Sequence, residues 1–402
     1  FAKLDFAMND EKMVFVGLTK DNRFIHTTFI AEDDFSYEDA EYETVFSTIT
    51  MPSPTIDDIQ ISPDLTLAFV RSGSTVFVYN IDDEQASLRT TITPEFTQAD
   101  SQLTSMALLS GGSSLLLGDN KGVISQWFEV STGQGRQFKQ IRTFTAGGDS
   151  SQADNSAQGI RHIYTEKFRK SFYTISESGV ANIFYTTSEA HLWQGTLTDN
   201  AINALAIAPR ADGLVMISED ATNTHSIEVF RVHNEHPEVT WHALWQEVWY
   251  EGYPEPDYVW QSTSGSDDFE GKFSLVPISF GTIKAALYAM LFAVPIALTA
   301  AIYTAYFMTP VLRKKVKPTI ELMEALPTVI LGFLAGLWLA PLMEEYLPAI
   351  FLLFIFLPLS TLLTAFAWHN LPRDIKVKIP ETLAPLILIP VIILAAYLAF
   401  AL

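Results

Sequence analysis

The sequence predicts two fold classes joined in one chain: an all-β domain of β-propeller type over residues 1–240, then an α-helical transmembrane bundle over residues 273–402. Three observations predict this. A short strand pattern recurs five times before residue 235. Apolar runs long enough to cross a bilayer fill the chain after residue 280. Charge divides near the same border. Of a net −21, the residues from Val276 onward carry eight Lys and Arg against six Asp and Glu, or +2, which leaves −23 on the first 275. A chain of 402 residues has room for two or three domains.

The repeats come first. They are "LDFAMNDEKMVFVGLTKDNRFIHTTFI" from Leu4, "IQISPDLTLAFVRSGSTVFVYNID" from Ile59, "MALLSGGSSLLLGDNKGVISQWFEV" from Met106, "IRHIYTEKFRKSFYTISESGVANIFYTT" from Ile160 and "LAIAPRADGLVMISEDATNTHSIEVFRV" from Leu205. Their starts lie 55, 47, 54 and 45 residues apart. Propeller repeats of the WD40 type recur at roughly 40–50 residues. Each unit reads as a small antiparallel sheet that cannot bury both faces alone, so neighbours must pack on it. Pro63 and Pro209 stand in the same turn of their repeats, where proline presets the turn and donates nothing to the ladder. A β-sandwich with regular turns is the competing fold. Five units are few for a closed ring, so further blades are expected upstream of Phe1. Two polar stretches interrupt the repeats, an acidic one at 31–43 and a Gly/Ser/Asp-rich one at 145–159. The acidic stretch lacks the spaced Asp pattern of a calcium loop and reads as a solvated surface.

Residues 241–272 form an aromatic-rich linker. Trp241, Trp245 and Trp249 are spaced for one face of a helix. Such a strip serves either as an aromatic belt at headgroup depth or as a docking strip against the propeller, and both readings stand.

Four spans follow, at 281–308, 327–343, 347–367 and 383–402. A bilayer needs about 20 mostly apolar residues per helix. Lys284, at the start of the first span, is placed to snorkel outward. Basic loops at 313–317 and 372–378 belong in the cytoplasm by the positive-inside bias. Glu344, Glu345 and the whole β domain then lie outside. The absence of cysteine fits an oxidising compartment. Glu321 and Glu324 read as the start of a helix, where carboxylates favour the positive dipole end. Pro327 bends the entry to the second span, and Pro295, Pro341 and Pro358 add kinks elsewhere. Gly332 and Gly336 form a G-x-x-x-G on which helices can approach closely.

The stretch "FSLVPISFGTIKAALYAMLFAVPIALTAAIYTAYFM", followed by "VKPTIELMEALPTVILGFLAGLWLAP", resembles the permease subunit of phosphate-type ABC importers. The resemblance covers about residues 273–345 and rests on Gly281-Thr282-Ile283, Ala293-Val294-Pro295, and Glu321-Leu322 through Pro327-Thr328-Val329 to Gly332-Phe333. Some members of that family carry a large extracytoplasmic insertion after the first span, and residues 1–260 are expected to be such an insertion. The resemblance implies phosphate import across a bacterial inner membrane, with residues 1–272 in the periplasm. It implies a second permease subunit, a cytoplasmic ATPase dimer, a periplasmic phosphate-binding protein and membrane lipid as partners. It makes Gly281, Thr282, Pro295, Glu321, Pro327, Thr328 and Gly332 the motif residues. Snorkelling is the ordinary use of Lys284, and contact with a translocated anion is the other. The family's cytoplasmic coupling loop does not appear in the sequence and is expected beyond Leu402.

The chain itself reads as a transport subunit, not an enzyme, with no cofactor and no metal. It has no Gly-x-x-x-x-Gly-Lys-[Ser/Thr] loop for ATP and no Gly-x-Ser-x-Gly elbow. His225, His233, His236 and His242 cluster without the helical setting of a zinc site. A domain this acidic repels nucleic acid. The alternative function is a membrane-anchored β-propeller sensor or scaffold that binds envelope proteins. Four proline-kinked spans are more than an anchor needs. An enzyme carried on the propeller would require converging catalytic residues that the sequence does not assemble.

Overall fold

The computed structural model describes residues 2–9, 12–20, 23–31, 42–49, 55–82, 85–96, 100–133, 135–147, 159–198, 200–265, 269–324, 327–372 and 388–401. Most of the acidic stretch at 31–43, of the polar stretch at 145–159 and of the second basic loop lies outside them, as do residues 383–387 of the expected fourth span.

Five antiparallel sheets follow one another along the β domain, each a simple meander in sequence order. Blade 1 is β1 (Lys3–Met8), β2 (Lys12–Leu18), β3 (Phe24–Ala31) and β4 (Tyr42–Ile49). Blade 2 is β5 (Asp58–Ile61), β6 (Leu67–Ser72), β7 (Thr75–Asn80) and β8 (Ser87–Ile92). Blade 3 is β9 (Leu103–Leu108), β10 (Ser114–Asp119), β11 (Val123–Thr132) and β12 (Gly135–Thr145). Blade 4 is β13 (Ile160–Thr165), β14 (Ser171–Ser176), β15 (Val180–Tyr185) and β16 (Ala190–Thr196). Blade 5 has three strands, β17 (Ala201–Ile207), β18 (Gly213–Glu219) and β19 (His225–Arg231). This is a five-bladed β-propeller domain, as the repeat period predicts.

The two-sided burial of the blades explains their composition. Successive side chains on a strand point to opposite faces. In β7, Phe77 and Tyr79 pack toward blade 1 while Val76 and Val78 pack toward blade 3. In β10, Leu115 and Leu117 face blade 2 and Leu116 faces blade 4. A strand buried on both faces reads as a continuous apolar run. The fourth strands are different. β8 exposes most of its side chains and β16 most of its own, so neither gave an apolar signal in the repeats.

Side chains stitch each inner strand to the next. The Asp5 carboxylate accepts from the Ile61 amide at 2.7 Å. Gln60 accepts from the Leu108 amide at 3.0 Å and donates to the Met106 carbonyl at 3.2 Å, substituting for backbone between two sheets. The Thr104 hydroxyl donates to the Ile160 carbonyl at 2.5 Å. The proline turns match as well. Leu65 and Ala211, each two residues past the proline, adopt left-handed φ of 61° and 56°. In blade 3 the same turn carries Gly112, where a Cβ would lie 2.3 Å from the Pro63 ring.

After blade 5, α1 (Trp241–Trp245) is capped by the Thr240 hydroxyl and ends at once, because Gln246 is extended. The three tryptophans therefore do not share a helix face. Trp249 lies beyond α1 and stacks edge-on against Phe128 of β11 at 6.3 Å, under the Lys139 ammonium at 4.8 Å. Trp241 and Trp245 remain exposed. The linker is thus a docking strip at Trp249. It closes with β20 (Trp260–Gln261) paired to β21 (Lys272–Phe273).

The chain forms two compact units, Phe1–Tyr288 and Ala289–Leu402, with a helix running through the border. That helix, α2 (Val276–Ile302), continues as a π-helical turn at Tyr303–Phe307. Then come α3 (Pro310–Glu324), α4 (Thr328–Leu334), a second π turn (Ala335–Leu339), α5 (Ala340–Glu345), α6 (Leu347–Asn370) and α7 (Leu388–Ala401). Among the described residues three stretches are long and apolar enough to cross a membrane: Val276–Phe307, Thr328–Glu345 and Leu347–Asn370. The first begins five residues earlier than the apolar run suggested, because Val276–Phe280 already form the first turn. The described part of the fourth, α7, has 14 residues and is shorter than a span. The basic residues at 313–317 lie inside α3 and not in a loop. Within the second unit α7 packs on α6, where Ala349, Ala395 and Ala399 are buried and Tyr346 meets Phe400 at 5.7 Å.

Candidate functional site

The motif residues of the membrane region are set out along separate helices. Gly281, Thr282 and Lys284 occupy the start of α2. A Cβ on Gly281 would meet nothing within 4 Å. The Thr282 hydroxyl donates to the Ile278 carbonyl at 2.8 Å, a back-bond to the preceding turn. The Lys284 ammonium sits 5.9 Å from the centre of the Tyr288 ring, one turn on, in cation–π range. Pro295 interrupts the α2 ladder, and the Thr299 hydroxyl donates to its carbonyl at 2.8 Å. Glu321 is exposed in the last turn of α3. The sequence reading put it at a helix start. The helix instead begins at Pro310, so this carboxylate stands near the dipole's negative end. Pro327 is the extended residue that opens α4, and its carbonyl accepts from the Ile330 and Leu331 amides at 3.1 and 3.2 Å. Thr328 and Gly332 follow in α4. Among the described residues nothing lies within 4 Å of a Cβ built on Gly332 or Gly336, so the G-x-x-x-G surface meets none of them.

These positions lie on α2, α3 and α4. What they share is a set of helices with interrupted ladders. The two π turns, which periodicity does not reveal, fall in the first and second spans. Such turns are frequent at functional sites.

The densest polar chemistry lies where the linker crosses the propeller. The buried Arg142 of β12 donates to the Thr186 carbonyl at 2.5 Å and to the Trp249 carbonyl at 2.6 Å. Lys170 donates to the Ser110 carbonyl at 2.5 Å and to the Glu251 carboxylate at 2.7 Å. Glu270 accepts from the Tyr185 hydroxyl at 3.1 Å and from the Thr187 hydroxyl. Burial pushes the Glu270 carboxyl up to about 7, with the neighbouring Glu251 adding to the rise. Burial also raises the Tyr185 phenol, and Glu270 raises it further. Lys272 lies over the rings of Phe269, Tyr250 and Tyr253 at 4.7, 5.5 and 5.8 Å, and burial lowers its pKa. This arrangement fastens residues 249–272 to blades 3 and 4 immediately before α2 begins. Sequence reasoning missed it because its members lie far apart in the chain and share no motif. Nothing in the sequence sets Arg142 and Lys170 apart from the other 15 Lys and Arg before Val276.

The histidine cluster does not assemble. His225 lies on β19, and the exposed His236 pairs with Glu238 at 3.1 Å. Among the described residues no three His, Cys, Asp or Glu side chains gather as a metal site.

No protein-family model matches the chain. It is similar to the probable ABC transporter permease protein YqgH of Bacillus subtilis (strain 168), with 25% identity over 119 residues, covering 27% of this chain and 38% of that protein. The chain thus spans well under half the length of that relative. Among solved structures it is similar to U3-55K, with 16% identity, a TM-score of 0.33, and coverage of 44% of this chain and 52% of that one. It is also similar to Raptor of Chaetomium thermophilum, with 14% identity, a TM-score of 0.40, and coverage of 57% and 19%. Likenesses of that extent say nothing about function.

Proposed function

We propose that the chain is a membrane-spanning permease subunit of an ABC importer, and that its substrate is inorganic phosphate. The observation that carries this reading is the similarity to a probable ABC permease, together with motif residues on the apolar helices α2 and α4. The bareness of those helices supports it: the three candidate spans are almost wholly unburied within this chain. Helices that form a path between subunits need such surfaces, and the open Gly332 and Gly336 face suits close approach by another helix. In this reading a second permease subunit completes the path, a cytoplasmic ATPase dimer drives alternating access, and a periplasmic phosphate-binding protein delivers the anion. The basic residues of α3 lie in the cytoplasm and the propeller in the periplasm. The proline-interrupted α2 and the π turns are the bending points. The phosphate assignment rests on the motif residues Gly281, Thr282, Pro295, Glu321, Pro327, Thr328 and Gly332.

The test is uptake of radiolabelled phosphate at low external phosphate, in cells lacking the gene and in cells given it back. ATP-dependent uptake restored by the intact gene supports the proposal. Uptake that never depends on the gene removes phosphate as the substrate. In that case an intact complex with an ATPase keeps the permease class. The lack of one turns the reading to a membrane-anchored propeller scaffold.

A further inference from the structure

The tryptophans of the linker are of two kinds. Trp249 packs on Phe128, and its indole N–H donates to the Tyr253 carbonyl at 2.9 Å. Trp241 and Trp245 of α1 lie ring to ring at 6.1 Å and are 77% and 39% exposed. Trp260 of β20 is 43% exposed. The indole N–H groups of these three have no hydrogen-bond partner among the described residues. A large apolar ring with a free N–H suits a boundary that is apolar on one side and wet on the other.

The exposed rings are fastened to the start of the first span. The Leu275 amide, one residue ahead of α2, donates to the Leu244 carbonyl of α1 at 2.9 Å. The buried Ser274 donates its amide to the Val259 carbonyl, beside Trp260, at 3.0 Å. Trp260 itself pairs with Phe273 across β20–β21 and meets that ring edge-on at 6.0 Å. α1 and the β20–β21 pair therefore keep a set height relative to Val276.

The length of the span gives that height. Val276–Phe307 has 32 residues, which is about 48 Å of helix at about 1.5 Å per residue. A bilayer is about 30 Å thick across its hydrocarbon core and about 40–45 Å with its headgroups. A helix centred on the core therefore extends about 9 Å, or about six residues, beyond it at each end. Lys284 then stands just inside one boundary of the core, within snorkelling reach of the headgroups, and Tyr303 stands at the other. Val276, with α1 bonded beside it, lies at headgroup level.

We propose that Trp241, Trp245 and Trp260 insert into the phospholipid headgroup layer where the first span enters the membrane, and that they form a foot on which the β domain rests. The inference rests on Val276–Phe307 crossing a membrane and is independent of the transported substrate. The lipid chemistry that fits is zwitterionic. The indoles offer N–H donors to phosphate and ester oxygens, whereas Glu247, Glu255 and Asp257, exposed on the same segment, disfavour anionic headgroups.

The chain has no cysteine, so a single introduced cysteine carries a nitroxide label at one place. Labels are placed at Gln246→Cys beside Trp245, at Leu291→Cys in α2 and at Ser87→Cys on exposed β8, with the protein in phosphatidylcholine nanodiscs. Collision rates with oxygen and with a water-soluble nickel chelate read the depth of each. The expected result is position 291 in the core, position 87 in water and position 246 within about 7 Å of the core boundary. Adding Trp241→Ser and Trp245→Ser should raise nickel collisions at position 246 several-fold. Position 291 in the core with position 246 as wet as position 87 overturns the proposal and leaves the span intact. Position 291 in water removes the span, and the proposal with it. Unchanged collisions in the double serine variant would show that α2 alone sets the height, and overturn the role of the tryptophans. If that variant does not fold, the depth of position 246 with both tryptophans present decides.

Discussion

Phe172 and Phe354 are the same side chain in two different solvents. Phe172, in blade 4, is 0% exposed among Phe144 and Phe184. Phe354, in α6, is 64% exposed. The contrast holds for the units around them. The β domain covers its branched and aromatic residues with its own sheets. The membrane helices leave theirs open along almost their whole length. Water drives the first kind of burial. In hydrocarbon that driving force is gone, so helices associate by close packing at small residues and by polar contacts. The β domain therefore carries most of its stability within itself, whereas the candidate spans bury little of their apolar surface within the described residues.

The sharpest way to break that comparison is one substitution made in both units. Phe172→Ala is expected to cost about 3–5 kcal/mol, because it empties a site between two blades that cannot collapse. Phe354→Ala is expected to change the stability of this chain by less than about 0.5 kcal/mol. Denaturant unfolding of the β domain and thermal aggregation of the whole protein in detergent measure the two. Equal losses would mean that α6 is packed within this chain after all.

A second test concerns the latch between propeller and linker. Arg142→Met leaves the Thr186 and Trp249 carbonyls without their charged donor in a buried place. The expected loss is about 3 kcal/mol, together with faster protease cleavage between residues 241 and 273. Arg142→Lys keeps the charge but not the fork that reaches both carbonyls, so it should recover only part of the loss. Unchanged proteolysis in Arg142→Met would show that the linker is held without Arg142, by Trp249 packing and the Lys170 and Glu270 bonds.

What could be read in advance follows the same division. The propeller's inner strands were legible, since double-sided burial forces apolar runs such as Leu115–Leu116–Leu117 at a regular period. Its outer strands were not, since β8 and β16 face solvent and need only backbone pairing. The spans were legible from apolar length. Their local breaks were not: neither π turn carries a proline within it, and α3 takes up Arg313 and Lys314 as helical residues where charge alone suggested a loop. The motif residues were found by resemblance, whereas the Arg142, Lys170 and Glu270 latch was invisible because only the fold brings those residues together.

The subtlest test lies at Glu270. Its carboxyl titrates at about 7 in the folded domain, against 4.5 for an ordinary glutamate, chiefly because it is buried. Glu251 raises it further, while Lys170 and the hydroxyls of Thr187 and Tyr185 pull the other way. Between pH of about 4.5 and about 7 the folded domain therefore keeps a proton that the unfolded chain has released. Stability falls as pH rises through that window, by at most about 1.4 kcal/mol per pH unit for one proton. Glu270→Gln carries the neutral form permanently and should flatten this slope, with its gain over wild type growing from pH of about 4.5 and complete above about 7. Denaturant midpoints at several pH values between about 5 and 8 would measure it. Parallel slopes in the two proteins would mean that Glu270 is as well hydrated as a surface carboxylate, and that the latch holds the linker through Arg142 and Lys170 without a buried acid.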